Sequence, residues 1–191
     1  MNSSNFVVVL DACVLYPAPL RDLLMSLAVS YLFRAKWTEN IHAEWKKNLL
    51  KNRSNLKDEQ LLATIALMNE AVPDSLVDGY EELIPGLSLP DNDDRHVLAA
   101  AIVANAQVIV TFNLKDFPIS ELEKYNIEAQ HPDEFLLHLL SLDHITVIEA
   151  LKKMRQRLKN PPKSASEFVE TLHRQNIPLF SSEIKKYEGL I

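Results

Sequence analysis

The sequence predicts an α/β protein, an α/β/α sandwich on a parallel central sheet followed by an all-helical extension. Three observations predict it. Phe6-Val-Val-Val-Leu10 and Gln107 to Phe112 are short β-branched runs without polar alternation, the pattern of strands buried on both faces. Helical spacing separates them, and strands alternating with helices imply right-handed parallel crossovers. From His131 onward only helical spacing remains. A chain of 191 residues suits one domain and an appendage, divided here into residues 1–130 and 131–191.

The first strand ends on Asp11. Pro17 and Pro19 then introduce a helix over roughly Leu20 to Phe33. Ala35-Lys36-Trp37 has the makings of a short strand, and Thr38 caps a helix running through Ile41, Glu44 and Trp45 to about Lys51. Asn55 to Ala71 is helical and closes at Pro73, whereas residues 74–88 favour no single state. Pro90 excludes helix before it, and Asp91, with Asp94 three residues on, is placed to cap the alanine-rich helix His96 to Ala106. The second strand follows and delivers Asn113 and Asp116 beyond its end. A short helix near Ile119 to Tyr125 and an edge strand over Asn126 to Gln130 complete this part. Helical spacing in Asp133–Leu142, Thr146–Leu158 and Ser164–Leu172, with a final segment from Ile177, predicts about four helices in the extension.

An apolar fraction of 47% suffices for a core, and three glycines argue against a loop-rich chain. A single cysteine excludes a disulfide framework and fits a reducing compartment. With no charged-then-apolar leader and no stretch of membrane-spanning length, a cytoplasmic protein without membrane contact is expected. The formal charge of −6 is uneven: residues 1–130 hold 18 acids against 11 Lys or Arg, and residues 131–191 hold 8 against 9. That balance opposes simple electrostatic binding of nucleic acid, but not a nuclease whose cations reverse the local sign.

Four acids occupy positions that invite chemistry: Asp11 after the first strand, Glu44 within a helix, Asp94 at a helix start and Asp116 after the later strand. Singly, each suits a turn, a cap or a solvated face. If the two acid-bearing strands are neighbours, Asp11 and Asp116 emerge at one sheet edge, where the helix begun at Asp94 also starts, and ligands bind there. Carboxylates gathered so closely raise one another's pKa, and a hard divalent cation relieves the repulsion. Such ions activate water and stabilise the leaving oxygen in phosphodiester hydrolysis.

VLDACVLYPAPLRDLL, WTENIHAEW, LPDNDDRHVLAAAI and VIVTFNLKDFP, in that order, resemble the PIN-domain nucleases. The likeness covers residues 6–130 and is nearest to the toxins of VapC-like toxin–antitoxin systems, in the subgroup with a helical C-terminal extension. It implies a PIN-like α/β/α sandwich and an endoribonuclease dependent on Mg2+ or Mn2+, with one or two ions per site, leaving 5′-phosphate and 3′-hydroxyl ends. The family's first acid matches Asp11, its helix-borne glutamate Glu44 and its third acid Asp94. Asp116 is assigned as the fourth. Asn113 matches a position used by some members as ligand or water anchor, Thr111 could orient a carboxylate or water, and Asp91 is an additional acid whose role overlaps with capping. The resemblance also implies an RNA substrate, a cognate antitoxin protein and a homodimer.

Cations beside an acidic site would hold RNA phosphates, and Arg21, Lys46, Lys47, Lys51 and Arg95 are the candidates. The six histidines show no zinc spacing with Cys13, which reads as a small apolar core residue. Trp37 and Trp45 read as core. A haloacid-dehalogenase-like phosphatase also places Asp after strand one, but needs a second Asp where Cys13 stands. A non-catalytic PIN-like module that binds RNA or protein is the other alternative, and the presence of all four acids counts against it.

Overall fold

The computed structural model describes residues 6–191. Four strands, β1 (Val7–Leu10), β2 (Arg34–Lys36), β3 (Val108–Val110) and β4 (Glu128–Gln130), form one sheet in the order β2-β1-β3-β4, with every pairing parallel. The two β-branched runs are therefore the central pair, as their uniform hydrophobicity requires: β1 and β3 are buried along their whole length. Register pairs Leu10 with Val110, so the next residues, Asp11 and Thr111, leave the sheet side by side.

Six helices accompany the strands: α1 (Ala12–Leu15), α2 (Ala18–Val29), α3 (Glu39–Asn52), α4 (Asp58–Ala71), α5 (Arg95–Val103) and α6 (Ile119–Leu122). Thr38 caps α3 as expected, its side chain accepting from Ile41 N at 3.1 Å. Alanines 99–101 are fully buried where α5 meets β1 and β3, and their small side chains allow that close approach. The expected helix over 20–33 begins earlier and stops at Val29, because the chain turns through Tyr31 at positive φ. β3 is shorter than the run 107–112 at both ends. Gln107 keeps backbone bonds to Val7 O and Glu128 N at 3.0 and 2.9 Å, and its side-chain oxygen also accepts Val7 N at 2.8 Å. With few glycines available, Asn105, Asn126 and Asn176 supply left-handed turns after helical segments.

The capping expectation for Asp91 fails. Asp91 Oδ1 accepts from Asp93 N at 2.9 Å in a local turn, and Asp94 is the N-cap residue of α5, which runs from Arg95 only to Val103.

The extension contains α7 (Pro132–Leu142), α8 (His144–Arg157), α9 (Ala165–His173) and α10 (Pro178–Lys185). It packs onto the α/β part through α8 and α9 against α2, and through Phe135, whose ring meets Phe33 edge-on at 5.1 Å. Buried Asp133 binds it internally: its two oxygens accept Leu179 N at 2.9 Å and Phe180 N at 2.7 Å, closing the start of α10 onto α7. Leu142, Ile145, Leu179 and Leu190 remain exposed. Among the described residues no helix is long and apolar enough to cross a membrane.

Candidate active site

Parallel register builds the floor of the site. Asp11 N donates to Val110 O at 3.1 Å, and Thr111 Oγ1 donates to Asp11 Oδ2 at 2.7 Å. Cys13, in the first turn of α1, donates Sγ–H to the same carboxylate oxygen at 3.0 Å and accepts Phe112 N at 3.2 Å. Asn113 N closes the loop onto Thr111 Oγ1 at 3.0 Å. Asp11 is thus almost fully buried, with Oδ2 held by two donors and Oδ1 receiving no hydrogen bond among the described residues. It occupies the N-cap position of α1, yet its carboxylate is not spent on capping.

Glu44 comes from the middle of α3. Its Oε1 lies 2.8 Å from His96 Nε2; a carboxylate can only accept, so that nitrogen carries the proton. His96 itself is buried on α5, and its Nδ1 has no partner among the described residues. Behind α3 a buried polar chain fixes the helix. Trp45 Nε1 donates to His42 Nδ1 at 3.0 Å, which sets the tautomer, so His42 Nε2 donates to Asn69 Oδ1 at 3.1 Å. The same oxygen accepts Trp37 Nε1 at 2.8 Å. Burial holds His42 below the usual histidine value, which keeps it neutral in this role. Both tryptophans are core, as the sequence suggested.

Asp94 brings the third carboxyl group, again at an N-cap position with no side-chain capping bond. Its pKa is raised from 3.8 to about 7, first by burial and then by the charges of Asp11, Asp91, Asp116 and Glu44. Five acids drawn from four segments therefore share one electrostatic neighbourhood. A cleft of about 340 Å³ opens over them, lined by Asp11, Glu44, Asp94 and Asn113 together with Cys13, Tyr16, Asn48 and Asn52.

Asp116 stands one step back. It closes a 3-10 turn over Leu114–Asp116, its N–H bound to Asn113 O at 2.9 Å, and it reaches Asp94 through its charge without lining the cleft. Asn113 holds the wall position instead. Among the described residues no three His, Cys, Asp or Glu side chains form a preassembled ligand cluster, so the carboxylates face a common space rather than a common point.

The candidate cations divide. Arg21 is buried, donating to Leu15 O at 2.8 Å with its guanidinium 4.8 Å from the centre of the Trp45 ring; it braces α1 and α3 and is withdrawn from any phosphate. Lys46 pairs with Asp58 at 2.9 Å, and Arg95 Nε turns back to Asn92 O at 3.0 Å. Lys47 and Lys51 remain on the exposed face of α3.

Several site residues escaped the sequence reading. Cys13 is a half-buried hydrogen-bonding residue rather than an apolar filler. Burial, followed by the Asp11 charge and hydrogen bond, pushes its thiol far above the usual range. Tyr16 and His96 gave no signal of their own. Asn48 and Asn52 could have been found, since they lie four and eight residues beyond Glu44 and so on its face of the helix.

Residues 7–115 match the family model described as PIN domain. The chain belongs to the PIN-domain family. Within that PIN framework, Asp11, Glu44, Asp94 and Asn113 all come from the matched segment, and so does the rest of the cleft lining described above. Residues 132–186 match the VapC50 C-terminal domain, which coincides with the helical extension. A Mycobacterium tuberculosis (strain ATCC 25618 / H37Rv) protein named "Putative ribonuclease VapC50" is 38% identical over 108 residues, covering 56% of this chain and 63% of the relative. The match thus spans less than two thirds of that relative's length. No solved structure matches.

Proposed function

We propose that this PIN-domain chain is a metal-dependent endoribonuclease, the toxin of a type II toxin–antitoxin system, hydrolysing RNA phosphodiester bonds. One observation carries the reading: Asp11, Glu44 and Asp94 from three separated segments line one cleft, and burial, followed by the charges of Asp11, Asp91, Asp116 and Glu44, raises the Asp94 pKa to about 7. That much unrelieved negative charge is what a hard dication neutralises, and the donor set is all oxygen, fitting Mg2+ or Mn2+. The name of the Mycobacterium tuberculosis relative, a ribonuclease, points the same way.

Asp11 and Asp94 would hold the principal ion, with Asp116 and Glu44 completing the site or engaging a second. When bound, the ion supplies charge stabilisation at phosphorus and lowers the pKa of water. The chain's own residues do the rest. Thr111 and Cys13 fix Asp11 through Oδ2 and so aim Oδ1. His96 fixes Glu44 through Oε1, leaving Oε2 to accept a proton from water near the scissile phosphate. Asn113 offers an amide to the same space. Lys47 and Lys51 approach the RNA backbone from the exposed face of α3.

Residues 1–130 form the catalytic unit on this reading and residues 131–191 an extension. The exposed Leu142, Ile145, Leu179 and Leu190 are surface it can offer to an antitoxin. A homodimer through the PIN domain and a cytoplasmic setting complete the proposal. Purified protein should cut single-stranded RNA in Mg2+ or Mn2+, stop on EDTA addition, and lose the activity in Asp11→Asn with its fold retained. Full metal-dependent cleavage by Asp11→Asn would remove the proposal. Co-purification with the product of a neighbouring short reading frame tests the toxin role.

A further inference from the structure

The carboxylates occupy only one end of the cleft. Glu44, Asn48 and Asn52 succeed one another on α3 at intervals of four residues, so they form one row, with Asn52 two turns, about 12 Å, beyond Glu44. Opposite Asn52 stands Tyr16, at the end of α1, half-buried, its hydroxyl accepting Asn52 Nδ2 at 3.3 Å. Among the described residues no lysine or arginine lines the cleft. A wall that read only phosphates would carry cations. This end carries instead an aromatic ring and two planar amides, each with a donor and an acceptor side by side.

Those groups match a nucleobase. Unpaired RNA bases are bound by stacking on aromatic side chains and by hydrogen bonds to their exposed edges, and asparagine amides pair with adjacent donor and acceptor atoms on a base. We propose that Tyr16, Asn48 and Asn52 form a base-binding subsite that receives an unpaired nucleobase beside the scissile phosphate and sets where the strand is cut. The inference rests on the nuclease reading of the carboxylate end. It makes the cleft bifunctional along α3, with cleavage at Glu44 and recognition one to two turns on. Since Asn48 and Asn52 are exposed, replacing them leaves the core untouched.

Two measurements test it independently. In the first, a pool of unstructured random-sequence RNAs is cut by wild type, Asn48→Ala, Asn52→Ala, Tyr16→Phe and Tyr16→Ala, and the ends are sequenced. Wild type should prefer particular bases next to the cut. Either asparagine variant should flatten that preference by about tenfold. Tyr16→Ala should weaken substrate binding by about tenfold or more, and Tyr16→Phe, which keeps the ring, by much less. Cut profiles superimposable on wild type in all four variants would overturn the subsite. In the second, fluorescent oligo(rA), oligo(rC) and oligo(rU) decamers are titrated in Mg2+ and followed by anisotropy. A ranking among the three that collapses in Asn48→Ala and Asn52→Ala supports the subsite even if no strand is cut. Equal binding of the three by wild type overturns it even if the protein is a nuclease.

Discussion

Asp94→Asn should make the metal-free protein more stable, a result few active-site substitutions would share. Burial and the charges of Asp11, Asp91, Asp116 and Glu44 lift the Asp94 pKa from 3.8 to about 7. The folded state therefore binds this proton more tightly than the unfolded chain does. Stability falls as pH rises from about 4 to about 7 and stays lower above, because the carboxylate must then ionise among its neighbours. Converting the whole shift would give about 4 kcal/mol. Asp94 is only half-buried, and solvent screening reduces that to about 1–2 kcal/mol. For a chain of this size, about 2–4 °C in Tm accompanies each kcal/mol, so the variant should melt about 2–8 °C above wild type at pH 8 in EDTA. The gap should narrow as pH falls and close near pH 4, where Asp94 is protonated in the folded and unfolded chains alike. Added Mg2+ should raise the wild-type Tm at pH 8 and leave Asp94→Asn nearly unmoved. A variant melting at or below wild type in EDTA at pH 8 would refute the claim that these carboxylates repel one another.

Other substitutions separate the supports of the site. His96→Ala should lower kcat for RNA about ten- to a hundredfold with little change in KM, because Glu44 loses the donor that orients it; His96→Gln, which offers an amide N–H, should recover part of the loss. Asp133→Ala strands Leu179 N and Phe180 N, the latter buried, at the start of α10 and should destabilise the protein by about 1–3 kcal/mol in a urea titration. Because the Cys13 thiol is pushed up by burial and by Asp11, iodoacetamide at pH 8 should leave it intact in the native protein and alkylate it after unfolding, read by mass spectrometry.

The central strands were legible because burial on both faces leaves no choice but continuous β-branched residues, and the place of Asp11 followed from the parallel register, whereas Asp116 lies a 3-10 turn beyond its strand. Glu44 and Asp94 were legible as motif positions. What held them was not: His96 and Glu44 are 52 residues apart, and periodicity marks a face without saying which side chains will meet across it. Arg21 misled for the same reason. Its helix position allowed solvent, but packing set it beneath Trp45 and against Leu15 O. Asp91 misled differently, since Pro90-Asp91 supports either a cap or a local turn and the turn won. Asn48 and Asn52 were within reach of simple helix arithmetic, yet uncharged amides draw no notice until a cleft is seen to run past them.

Calorimetric titration of Mn2+ into wild type and Asp11→Asn at pH 7.5, in buffers of different ionisation enthalpy, tests the shared carboxylate pocket most directly. Wild type should bind the ion with partial proton release from Asp94, and Asp11→Asn should lose the binding while its melting curve stays intact. Unchanged Mn2+ affinity in Asp11→Asn, or the absence of binding in wild type, would contradict it.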